Sequence, residues 1–76
     1  MTTEQFRATL HQNSFRPFTI RMADGRAFEV AHRDFVALSQ SGRTAIVFYG
    51  HEAYSVLDVL LMSELEVDGG NGHPAE

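Results

Sequence analysis

The chain predicts a mainly β fold with one N-terminal helix. Three observations carry this. Apolar residues alternate with polar ones in short runs from Phe18 onward, the period of half-buried strands. Turn residues (Asp24-Gly25, Gly42, Gly50) interrupt those runs every eight to seventeen residues. Only the first dozen residues show helical spacing. The architecture expected is a small, strongly bent antiparallel sheet of five to six strands, or an SH3- or Sm-like barrel, whose closure would remove exposed edges.

The helix is expected over residues 3–12. Thr2 can cap it and Gln5, three residues on, completes a capping box, with Met1 and Phe6 at the staple positions. Phe6 and Leu10 share one face. Asn13-Ser14 should end it, because Asn tolerates the left-handed conformation. So thin an apolar stripe must dock on something.

Strands start at about residue 17. Pro17 suits the first position of a strand. Phe18, Ile20 and Met22 then alternate with Thr19 and Arg21, and Phe28 and Val30 with Ala27 and Glu29. A two-residue Asp24-Gly25 loop would set Ile20 opposite Glu29, joining an apolar face to a polar one. A three-residue loop, Ala23-Asp24-Gly25, sets Ile20 opposite Phe28. The buried pattern therefore selects the longer loop, with Gly25 at positive φ.

"AHRD" breaks the alternation. "FVALS" reads as a third strand, "QSGR" as a turn around Gly42, and "TAIVFY" as a fourth strand. The fourth is apolar on both faces, which predicts a central strand or one covered on both sides. "YSVLD", a short apolar bend "VLLM", and "ELEV" follow, with Leu65 and Val67 pointing inward. One domain over residues 1–67 and a disordered tail over 68–76 are expected.

Composition narrows the function classes. The chain has 76 residues, no cysteine and a net charge of −4. It reads as a soluble cytoplasmic protein without a signal peptide or an apolar run long enough for a membrane span. All six basic residues are Arg; five of them (Arg16, Arg21, Arg26, Arg33, Arg43) share residues 16–43 with only three acids. Solvated strand faces are the simple explanation. The sharper one is a face for an anion or an acidic partner, drawn from Arg16, Arg21, Arg26 and Arg43.

The stretches "FRPFTIRMADGRAFEVAHRDFVALSQSGRTAIVF" and "VLDVLLMSELEV" resemble a family of short uncharacterised bacterial proteins, over about residues 15–67. The resemblance implies no activity. Arg33 stands where that pattern has Pro after His32, which implies a less rigid corner. The order of one helix and then strands is also similar to Sm-like RNA-binding barrels, with Gly25 at the turn glycine and "RDFVAL" near their Asp-x-Phe stretch. Ala37 stands near where the resemblance implies an RNA-contacting Asn, and "MSELEV" replaces their second motif.

No catalytic, metal or cofactor motif is present. His11, His32, His51 and His73 lack ligand spacing, and His51-Glu52 reads as a solvated turn. Ser39, Ser41 and Ser63 lack a nucleophile motif, and "SQSGRT" is not a phosphate loop. In His32-Arg33-Asp34, Asp34 either orients His32 for proton transfer or accepts backbone hydrogen bonds at a corner; the second is preferred. Tyr49 and Tyr54 flank a turn, where cross-strand packing is the common use.

The functional expectation is a non-catalytic interaction module without cofactor. It is expected to form a homo-oligomer, most simply a dimer, and to bind another protein. Val59, Leu60, Leu61 and Met62 are the candidate contact, with cover by the helix as the alternative. A nucleic-acid-binding barrel using the arginines is the second reading; the acidic net charge and the absence of Lys count against it.

Overall fold

The computed structural model describes residues 1–67; the expected tail lies outside the described residues. Helix α1 spans Thr3–Leu10. Six strands follow: β1 (Phe18–Met22), β2 (Ala27–Val30), β3 (Val36–Leu38), β4 (Thr44–Tyr49), β5 (Ala53–Asp58) and β6 (Met62–Val67). Short 3-10 turns at Arg33–Phe35 and Val59–Leu61 separate β2 from β3 and β5 from β6.

The capping box forms as read. The Thr2 hydroxyl accepts from Gln5 N, and the Gln5 side chain accepts from Thr2 N. The helix stops two residues earlier than expected, at a C-cap (His11) with φ −106°. Among the described residues no non-glycine residue has positive φ, so Asn13 does not end the helix in the left-handed way.

Ile20 pairs with Phe28, and Phe18 with Val30. Met22 N donates to Arg26 O at 2.8 Å and Gly25 N to Met22 O at 3.0 Å, so Ala23-Asp24-Gly25 is a three-residue loop with Gly25 at φ +97°. Asp24 fixes it by accepting from Arg26 N.

The strands do not lie in one bent sheet, and no barrel closes. They form two antiparallel three-stranded sheets, ordered β2-β1-β6 and β3-β4-β5. The two 3-10 turns cause the division. In the first, Phe35 N bonds His32 O; in the second, the Asp58 carboxylate accepts from Leu60 N at 3.0 Å. Each turn takes the chain out of one ladder before the next strand enters the other.

Burial follows the alternation. Phe18, Ile20, Met22 and Val30 of one sheet meet Ala45, Val47 and Leu57 of the other, and Phe6 and Leu10 of α1 complete the core. Phe6 meets the edge of the Phe18 ring at 6.2 Å. Leu65 and Val67 are half-buried against this core, on the inward side as expected. At its rim Phe28 faces Tyr49 across the two sheets at 6.3 Å. Gly42, at φ +82°, lies under α1; a Cβ there would come within 2.8 Å of the Arg7 guanidinium and 3.0 Å of Thr3 Cβ.

β4 is central in its sheet, but it is not covered on both sides. Ala45 and Val47 are buried, whereas Phe48 on the other face is exposed and Ile46 only half-buried.

Candidate functional site

The register of the β3-β4-β5 sheet places a set of apolar side chains on its outer face. Ile46 lies opposite Val56 on β5 and Ala37 on β3, and Phe48 lies opposite Tyr54. Because opposed residues of an antiparallel ladder share a face, these five form one continuous patch. Phe48 and Tyr54 pack with ring centroids 6.0 Å apart and planes tilted by 43°. Phe48 is 44% exposed, Tyr54 59% and Val56 60%. Covering three such side chains is worth on the order of 1 kcal/mol each. A strand pair whose buried face is already satisfied by Ala45, Val47 and Leu57 has no internal use for a second apolar face.

The outer face of the other sheet has the opposite character. Thr19, Arg21, Glu29, Glu64 and Glu66 share it through the β1-β2 and β1-β6 registers. The Arg21 guanidinium donates to Glu66 Oε1 at 2.7 Å, with Glu64 at 3.9 Å. The hydrogen bond that Glu66 accepts and its charge hold Arg21 protonated to higher pH than an isolated guanidinium.

The arginines read as an anion face are separated and engaged. Arg26 pairs with Asp24 at 2.9 Å and lies over the Phe28 ring. Arg43 pairs with Asp58 at 3.5 Å, and Arg16 lies on the connection from α1 to β1. Asp24 and Asp58 titrate below the usual carboxylate range, chiefly because each accepts a backbone hydrogen bond, from Arg26 N and Leu60 N, with the neighbouring guanidinium adding to the effect.

The His32-Arg33-Asp34 cluster does not assemble a proton-transfer pair. The His32 ring packs at a right angle to that of Phe35 at 5.3 Å, and among the described residues no hydrogen bond or ion pair joins Asp34 to His32 or to the corner backbone. Arg33 turns away from both. Its guanidinium donates to Leu10 O at 2.7 Å and to Gln12 O, and lies over the Phe15 ring. It thus satisfies carbonyls left open at the end of α1, where a cation is favoured. Arg33 thus ties the corner after β2 to the end of α1.

The Val59–Met62 run is divided. Val59 and Met62 are buried in the core, while Leu60 and Leu61 are exposed. A 3-10 turn eclipses residues three apart, so residues 59 and 62 share the inner side. Val59 and Met62 are thus part of the core, and the members of this run that face outward are Leu60 and Leu61.

The two-sided apolarity of β4 is visible in sequence but the outer patch is not, since Tyr54 reads as a partner of Tyr49 across the turn whereas the register sets it opposite Phe48. The pairing of Val56 with Ile46 and of Tyr54 with Phe48 was the missing information. No helix among the described residues is long and apolar enough to cross a membrane. No family model matches the chain, and no curated protein or solved structure shows significant similarity to it.

Proposed function

We propose that this chain is a small cytoplasmic, non-catalytic interaction module that self-associates and binds another protein through the outer face of the β3-β4-β5 sheet. The observation that supports this reading is the contiguous exposure of Phe48, Tyr54 and Val56, flanked by Ile46 and Ala37. Aromatic side chains at the centre of a patch are the usual anchors of a protein interface. The nucleic-acid reading gains no comparable support, because Arg21, Arg26 and Arg43 each have a carboxylate partner.

The test is site-specific photocrosslinking in cells. A photoreactive amino acid at Phe48 samples the apolar face; at Glu29 it samples the polar face of the other sheet. The expected result is defined adducts from position 48 and none from position 29. No adducts from 48, or the same adducts from both, would overturn the reading.

A further inference from the structure

The exposed edges of the two sheets are unequal. β2 and β3 are short, with 4 and 3 residues, and β6 carries Glu64 and Glu66. Short length and charge both discourage strand addition. β5 is less protected: it is 6 residues long, its one charge is Asp58 at the last position, and Ala53-Tyr54-Ser55-Val56-Leu57 contains no charge, Pro or Gly. Among the described residues no strand pairs with its outer edge.

The direction of the open backbone groups follows from the ladder. Thr44 is paired with Asp58, and Val59 N donates to Arg43 O at 2.8 Å. Hydrogen-bonded pairs alternate along an antiparallel ladder. Residues 53, 55 and 57 therefore turn their amides and carbonyls toward β4, and Tyr54, Val56 and Asp58 present theirs to the open edge.

The geometry points to antiparallel pairing of β5 with β5 of a second copy of this chain, with Val56 opposite Val56 at the two-fold axis. This inference rests on the self-association part of the reading above and specifies its surface. A two-fold pairing must keep the apolar faces on the same side, which leaves two central registers. With Ser55 on the axis, Asp58 would come level with Glu52, in the turn just before β5, at both ends of the pairing, bringing like charges together. With Val56 on the axis, Asp58 opposes the Tyr54 phenol ring and the carboxylate clash disappears. Like charges directly opposed destabilise a ladder, so the second register is selected. The resulting six-stranded sheet joins both outer apolar patches into one surface of twice the area for the protein partner.

The experiment uses the absence of native cysteine: a single introduced thiol can form only an intermolecular disulfide. Residues directly opposed in a hydrogen-bonded pair have Cα atoms about 5.5 Å apart, which lies within disulfide range. Under mild oxidation Val56→Cys is expected to become a covalent dimer, while Tyr54→Cys and Ser55→Cys stay monomeric. Cross-linking of Ser55→Cys in place of Val56→Cys would overturn the register. Cross-linking at none of the three would overturn edge pairing.

Light scattering on the unmodified chain provides the second arm. A dimer mass is expected at micromolar concentration, falling by half in Val56→Pro. Because the Val56 amide faces outward, proline there removes no bond to β4. If that variant does not fold, Val56→Lys, which sets two charges on the axis, must show the same fall in mass. A concentration-independent monomer for the unmodified chain overturns the proposal. Adducts from position 48 can persist in that case, so failure of edge pairing is distinguishable from failure of the partner-binding face.

Discussion

Arg33 donates a hydrogen bond to the carbonyl oxygen of Leu10 across 23 residues of sequence, at 2.7 Å. The same guanidinium reaches Gln12 O and packs over Phe15, so one side chain fastens the end of α1 to the corner between the sheets. Arg33→Ala is expected to destabilise the fold by about 1.5–3 kcal/mol, the range for hydrogen bonds to a charged donor. Arg33→Lys should recover only part of this, because an ammonium cannot span two carbonyls as a planar fork does. Urea unfolding measures both. A loss below about 0.5 kcal/mol in the Ala variant would show that the cap does not stabilise the fold.

Glycine substitutions should rank by surroundings as well as by φ. Gly25→Val should cost about 1–2 kcal/mol or more, since a β-branched residue resists the left-handed region. Gly42 and Gly50 both have positive φ, but only Gly42 has α1 above it. Gly42→Ala should therefore destabilise more than Gly50→Ala, the excess coming from displacement of Arg7 and Thr3. Equal losses for the two variants in thermal melts would contradict the close packing of the helix on this turn.

The two lowered carboxylates give the fold an acid limit. Asp24 and Asp58 have folded pKa values below their unfolded ones, so their contribution is fully present above the unfolded value, about 3.9, and is lost as pH falls through the folded values. Melting temperature should decline below about pH 4. In the double variant Asp24→Asn, Asp58→Asn that decline should be shallower. Parallel curves for the two proteins between pH 5 and pH 2 would refute this origin.

Binding to single-stranded RNA should be weak, with little dependence on salt. Arg21, Arg26 and Arg43 already face carboxylates, so a phosphate must compete for each of them. Titration at two salt concentrations decides this: a steep fall in affinity with salt, as several phosphate contacts would give, would restore the nucleic-acid reading.

The parts of the fold that were legible in sequence are those set by neighbours in the chain. The capping box needs only Thr2 and Gln5, and the Ile20-Phe28 register follows from a period of two plus one glycine. The division into two sheets was not legible. "AHRD" and "VLLM" were visible as breaks, but whether a break bends a sheet or ends it depends on hydrogen bonds such as Asp58 to Leu60 N. The role of Arg33 was hidden because its partners, Leu10, Gln12 and Phe15, lie around the distant end of α1. Which members of Val59–Met62 face outward was not legible either: four consecutive apolar residues cannot all face one side, and only the three-residue period of the turn decides that Val59 and Met62 go inward while Leu60 and Leu61 stay exposed.

The pairing of β1 with β6 has a consequence for the order in which the protein can be built. Met22 meets Met62, so these partners are separated by most of the described chain. The β1-β2 and β4-β5 hairpins need only short loops and can form as soon as their residues are available. The β2-β1-β6 sheet cannot be completed until Met62–Val67 has been synthesised, and contacts so distant in sequence slow folding. Nascent chains that lack β6 should therefore hold local hairpins around an unfinished core. Limited proteolysis of stalled chains truncated before Met62 should find Phe18–Val30 accessible to cleavage, and protection in those chains would contradict this sequence of events.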